Sequence, residues 1–190
     1  QEVDCLGEDR EGNIWAGTGG GGLNFIRRRA VALFGREAGL PFESVRSVCE
    51  DAEGEIWAAL QNGMLARGRN GRWSQVKAEA GWTGDNATCV AADQKGGVWV
   101  GTGTRGLQYW RAGVWRGWRR EDGLSSDSVR SILVAGKDDV WVATASPNRL
   151  HLLRDGELHG LEMKGATRSI RAMAEGADGT IWIGTSEGQI

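Results

Sequence analysis

A phrase that returns every 41 or 42 residues, four short strand-like segments within each return, and no sustained helical period predict an all-β chain, a β-propeller of four-stranded blades. The phrase first reads EDREGNIWAGT, at 8–18. It comes back as EDAEGEIWAAL at 50–60, ADQKGGVWVGT at 92–102, AGKDDVWVAT at 135–144 and EGADGTIWIGT at 175–185. Its tryptophans are Trp15, Trp57, Trp99, Trp141 and Trp182, spaced 42, 42, 42 and 41 residues apart. A period that steady is one structural unit repeated.

Within a unit, the first segment is Val-Arg-Ser-Val at 45–48, with counterparts at 3–6, 87–90, 129–132 and 170–173. Apolar residues stand at its ends, and many are β-branched, which suits a strand. Asp-x-x-Gly follows, as Asp9 with Gly12, Asp51 with Gly54 and Asp93 with Gly96. Asp at the first and Gly at the fourth position signal a type I turn. The fourth and fifth repeats lack that Asp, so different turns are expected there.

The second segment carries the tryptophan and is apolar on both faces, as in Ile56-Trp57-Ala58 and Val98-Trp99-Val100. It reads as a central strand covered on both sides, with the tryptophan as a buried wedge between blades. Two residues on stand Gly17, Ala59, Gly101, Ala143 and Gly184, which leave room on the tryptophan's own face. Third segments begin at Leu23, Leu65, Leu107 and Leu150. Fourth segments hold Val31 and Phe34, Trp73 and Val76, Trp115 and Trp118, or Leu158 and Leu161. The expected blades are 1–36, 37–79, 80–121 and 122–164, with half a blade at 165–190. Such a chain reads as a fragment of a larger ring, because propellers protect their strand edges by closing.

The composition agrees with this reading. Thirty-one glycines against two prolines supply tight turns. A net charge of −2 and a pI near 5.8 give no electrostatic reason for a nucleic-acid partner. No apolar run approaches the ~18 residues of a membrane span. Cys5, Cys49 and Cys89 lack metal-site spacing. Cys5 and Cys89 share a register with Ser47, Ser131 and Ala172, ten residues before each tryptophan, and are expected to be small packing residues.

The phrases resemble the two-component regulator propeller repeat, V-x-x-I-x-x-D-x-x-G-x-L-W-x-G-T-x-x-G-L. The stretches 3–23 and 93–107 follow it most fully, and repeats two and four depart at Ala59-Leu60 and 135–139. The linking phrase of that family is matched by Glu-Asp-Gly-Leu-Ser-Ser at 121–126 and Glu-Ala-Gly-Leu-Pro-Phe at 37–42. The resemblance implies a seven-bladed ring in the periplasmic or extracytoplasmic part of a histidine kinase or hybrid regulator. It further implies a non-catalytic module that senses a glycan or other small molecule, joined to further blades and a dimeric sensor partner.

Candidate binding residues are few. Asp4, Arg46, Thr88, Arg130 and Arg171 share one register on the first segments. Three arginines there suit an anionic ligand, with Arg105 expected to join from the same end. The alternative is that they pair with rim carboxylates such as Glu43 and Asp127. Trp82, on an irregular linker, either stacks on a sugar ring or plugs a gap over the core. His151 and His159, on consecutive outer strands, are too few for a metal site, so no metal and no cofactor is expected. Their place on variable outer strands suggests no catalytic triad. A propeller enzyme of lyase or glycosidase type, and a protein-binding scaffold, are the competing readings.

Overall fold

The computed structural model describes residues 3–8, 10, 14–18, 22–26, 33–79, 81–84, 86–136, 138–161 and 169–186. They fall into two units, 1–34 and 35–190. In the first, β1 (Val3–Glu8), β2 (Ile14–Thr18) and β3 (Gly22–Ile26) form one antiparallel sheet in chain order. Asp9, Gly12, Val31 and the side chain of Trp15 lie outside the described residues.

The second unit contains three four-stranded antiparallel meanders and a hairpin. The meanders are β4 (Val45–Glu50) to β7 (Arg72–Gln75), β8 (Ala87–Ala92) to β11 (Val114–Trp118), and β12 (Val129–Ala135) to β15 (Glu157–Leu161). The middle strands are β5 (Ile56–Leu60) and β6 (Leu65–Arg69), β9 (Gly97–Thr102) and β10 (Leu107–Arg111), and β13 (Asp139–Thr144) and β14 (Arg149–Arg154). The hairpin is β16 (Ile170–Glu175) with β17 (Ile181–Thr185). Strands pair in sequence order within every sheet, and the first strands β4, β8, β12 and β16 lie successively side by side. This is the blade architecture of a β-propeller.

Apolar clusters between successive sheets hold the blades together. Trp57, Leu65 and Val76 of one sheet meet Val90, Val98, Val100 and Trp115 of the next. Trp99 and Leu107 meet Val129, Val140, Val142 and Leu153 in the same way. Ala143 and Leu150 meet Ile170, with Trp141, Met173 and Ile183 packed around them. The small residue after each tryptophan has a specific cause at Gly101. A Cβ there would collide with Cys89 Sγ of the same sheet and with Val129 of the next, so the space is filled from both sides.

The linking phrases have one shape in both copies. A 3₁₀ turn (Arg36–Ala38, Arg120–Asp122) ends on a left-handed glycine, Gly39 at φ 89° and Gly123 at φ 109°. The following leucine, Leu40 or Leu124, is then buried in a blade face. The Asp-x-x-Gly turns are built around the aspartate. Asp51 Oδ1 accepts from the Glu53 and Glu55 amides, Asp93 Oδ1 from those of Lys95 and Gly97, and Gly54 and Gly96 take positive φ. Repeat five reaches a related turn without that Asp: Gly176 occupies its place, Asp178 accepts from Thr180, and Gly179 takes φ 81°.

Two packing expectations need correction. Trp182 is 54% exposed, whereas Trp57 is fully buried and Trp99 only 7% exposed. Trp57 and Trp99 are roofed by aromatics of a third or fourth strand, Trp110 on the first, Tyr109 and Trp118 on the second. The sheet of Trp182 has only two strands among the described residues. Cys5 is exposed, while Cys89 is buried against Val129 of the following blade. The burial of Cys89 comes from the inner strand of the next blade, which covers it, and not from its register alone.

Candidate functional site

The arginine register coincides with a structural irregularity that the sequence pattern did not reveal. Each inner strand carries a β-bulge at that position: between Val45 and Ser47, Ala87 and Cys89, Val129 and Ser131, and Ile170 and Ala172. The extra residues are therefore Arg46, Thr88, Arg130 and Arg171; in the first unit, Asp4 holds the same place in β1. A bulged residue is unpaired with the facing strand and its side chain is re-aimed, so bulges recur at binding rims.

Arg46, Arg130 and Arg171 line one cavity of about 370 Å³, together with Ser47, Thr88 and Ser131. Among the described residues, none of the three guanidiniums has an ion-pair or hydrogen-bond partner. Asp127, the rim carboxylate considered for them, instead accepts from the Arg120 amide at 3.0 Å. Among the described residues, the cavity lining includes no carboxylate and no imidazole. Three exposed cations thus share a space without a counter-charge among the described residues.

Neighbouring strands are stitched at this level. Ser47 Oγ donates to the Val90 carbonyl at 3.3 Å and accepts from the Val90 amide at 3.1 Å. Thr88 Oγ1 donates to the Val129 carbonyl at 2.7 Å. These bonds fix the spacing between arginine-bearing strands. Cys89 also borders the cavity, but burial raises its thiol to about 11, against the lowering effect of Thr88, the Gly101 amide and Arg46. It stays a protonated thiol at neutral pH and offers no nucleophile.

The other predicted residues lie elsewhere. Arg105 is exposed but does not border this cavity; its amide donates to Thr102 Oγ1 and its carbonyl accepts from Gln108. Trp82 is 3% exposed and stacks on Trp115, with ring centroids 5.0 Å apart and planes 17° apart. It plugs the seam between β4–β7 and β8–β11 and is no platform for a sugar ring. His151 and His159 are not neighbours on one face: His151 pairs with Gly160, and His159 pairs with Leu152. His151 is fully buried, and its Nε2 accepts from the Ser125 amide at 3.1 Å. No group of metal-ligating side chains forms among the described residues.

Comparisons with known proteins agree with this architecture. The family model of the two component regulator propeller matches residues 39–62 and 165–187. The first match falls on repeat two, despite its departure at Ala59-Leu60. No curated protein matches the chain. Among solved structures, the extracellular domain of a hybrid two component system from B. thetaiotaomicron aligns at 24% identity and a TM-score of 0.65. That alignment covers 98% of this chain and 26% of the other. The extracellular domain of a one component system from the same organism aligns at 19% identity and a TM-score of 0.62, covering 98% and 27%. Virginiamycin B lyase from Staphylococcus aureus aligns at 12% identity and a TM-score of 0.60, covering 97% and 67%. The chain spans about a quarter of the length of the first two. Repeats, sheets and structural neighbours together make the chain a β-propeller segment, and two of its stretches, 39–62 and 165–187, match the two component regulator propeller model.

Proposed function

We propose that the chain is part of the signal-input module of a two-component regulator, and that it recognises a small anionic molecule in the arginine-lined cavity. The observation that carries this reading is the convergence of Arg46, Arg130 and Arg171, placed by the bulges of β4, β12 and β16, on one space without a counter-charge among the described residues. Guanidinium forks bind carboxylate, sulfate and phosphate through paired charge-assisted hydrogen bonds. Glycans bearing such groups belong to the same ligand class. An extracytoplasmic location belongs to the same proposal, supported by the extracellular domains that share the fold; continuation into further blades and a dimeric sensor partner are proposed with it.

The lyase shares the fold at 12% identity, and that likeness brings no chemistry to this chain. Acid–base catalysis needs groups that exchange protons near neutral pH. The cavity is lined by arginines, hydroxyls, a protonated thiol and isoleucines, which favours binding over catalysis.

Calorimetry with a panel of di- and tricarboxylates and acidic sugars tests the proposal. Arg46→Ala and Arg130→Ala each weaken binding by about tenfold or more, since a hydrogen bond to a charged group contributes roughly 1.5–3 kcal/mol. Their unfolding midpoints stay near the parent's. Unchanged affinity in both variants, for an anion the parent binds, overturns the assignment.

A further inference from the structure

A second cavity, of about 320 Å³, adjoins the first and shares Arg46, Thr88 and Arg130 with it. Its remaining polar lining among the described residues differs in kind: Gln61, Asn62, Asn86 and Ser128, again without a carboxylate. Amides and a hydroxyl donate and accept hydrogen bonds but carry no charge. They suit the hydroxyl or amide groups of a ligand, whereas the arginines suit its acidic group. We infer that the two cavities form one bipartite site for a hydroxylated anion, a hydroxy acid or an acidic saccharide, with the acid on the arginines and the neutral polar groups on the amides. This rests on the arginine site proposed above and adds the part that discriminates among anions.

The amide half is held in place before any ligand arrives. The loop 61–64, after β5, and residue 86, before β8, are tied by the Ala87 amide donating to the Gly63 carbonyl at 2.8 Å. Gly103 donates to the Asn86 carbonyl at 2.9 Å, Gln61 to the Ser44 carbonyl at 2.9 Å, and Ala145 to the Ser128 carbonyl at 2.8 Å. Asn86 has a left-handed backbone, φ 61°, which asparagine tolerates better than most residues. Gly63, at φ 87°, lies so close that a Cβ would come within 2.9 Å of the Asn86 amide nitrogen. Asn62 Oδ1 accepts from the Met64 amide at 3.2 Å, which orients that side chain and leaves its NH₂ without a partner among the described residues. Anchored main chain with uncommitted amide groups lowers the ordering cost of binding.

Three dianions separate the halves: malonate, with acid groups alone; tartrate, with two hydroxyls added; and digalacturonate, with sugar hydroxyls added. Titration calorimetry compares them on the parent, Asn86→Gly, Gln61→Ala and Arg130→Ala. Glycine keeps the left-handed backbone at 86 while removing the amide, and thermal melts verify that each variant is folded. The parent should bind at least one hydroxylated dianion about tenfold or more tightly than malonate, because a site built for hydroxyls is left with unpaired polar groups otherwise. Asn86→Gly and Gln61→Ala should erase that preference with little change for malonate, and Arg130→Ala should weaken all three. Tighter tartrate than digalacturonate assigns a hydroxy acid, the reverse an acidic saccharide, and equal affinities a compartment that reads hydroxyls irrespective of the sugar ring. A parent that binds malonate as tightly as both others, or folded amide variants that keep the preference, overturns this inference and leaves the arginine site standing. Binding of none of the three overturns both.

Discussion

The side chain of Asp51 accepts three hydrogen bonds from a buried position. Its Oδ1 holds the amides of Glu53 and Glu55, and its Oδ2 accepts from Trp57 Nε1 at 2.8 Å. The turn and the blade's wedge are thus one unit. Asp51→Ala leaves a buried indole N–H and turn amides without partners, so it should cost roughly 2–4 kcal/mol; a urea midpoint equal to the parent's refutes this. The third repeat divides the roles differently, with Asp93 Oδ2 accepting from the Tyr109 hydroxyl at 2.8 Å and Trp99 Nε1 left without a partner. Burial, followed by Asp93, pushes that phenol up to about 12. His151 is a second residue-scale case. Burial lowers its pKa below the ordinary 6.5, with Arg149 adding to the shift. The neutral ring is the form that accepts from Ser125, so the unfolded chain binds the proton more readily than the folded one. The contribution is present above about pH 6.5 and is lost as the pH falls below it. The urea midpoint should therefore be lower at pH 5.5 than at 7.5, and His151→Gln should flatten that difference; equal slopes in parent and variant would count against it.

At the scale of elements, the same strand carries different weight in different blades. Trp99, between two four-stranded sheets, touches Tyr109 at 4.3 Å and Trp118 at 5.3 Å between ring centroids. Trp99→Ala should cost roughly 3–5 kcal/mol, the range for a large aromatic removed from a core. Trp182, half exposed on its hairpin, should cost about 1 kcal/mol or less. Chemical denaturation of the two variants side by side reads the contrast, and similar losses would show that the wedge of the hairpin is covered in solution.

Across the second unit, the cavity concentrates positive charge on a chain whose net charge is −2. Anion binding there should be salt-sensitive, because the Debye length shrinks from about 10 Å at 0.1 M to about 3 Å at 1 M. Affinity for a bound dianion should fall several-fold over that range, most steeply in the parent and less in Arg171→Ala. A salt-independent affinity would mean that the arginines do not face the bound charge.

The return of the tryptophan every 41 or 42 residues determines the blades, because the pattern repeats one strand order per unit, and Trp57 and Trp99 are buried as wedges against the next sheet. The Asp-x-x-Gly turns and the Gly-Leu linkers are equally legible, since left-handed φ at Gly39, Gly54, Gly96 and Gly123 leaves few residue choices. The arginine register is visible as well, at a spacing that follows the repeat. What the sequence does not show is the bulge, which is a mismatch in pairing between two strands, or the amide loops, which gather from different blades. Burial is likewise a tertiary outcome. Trp57, Trp82 and Trp182 are chemically one residue, yet the first two are enclosed by aromatics across a blade seam and the third is not. Local pattern specifies which strand a side chain sits on; only the neighbouring sheet decides whether it is a wedge, a plug or a surface, because burial requires a second face to exclude the water.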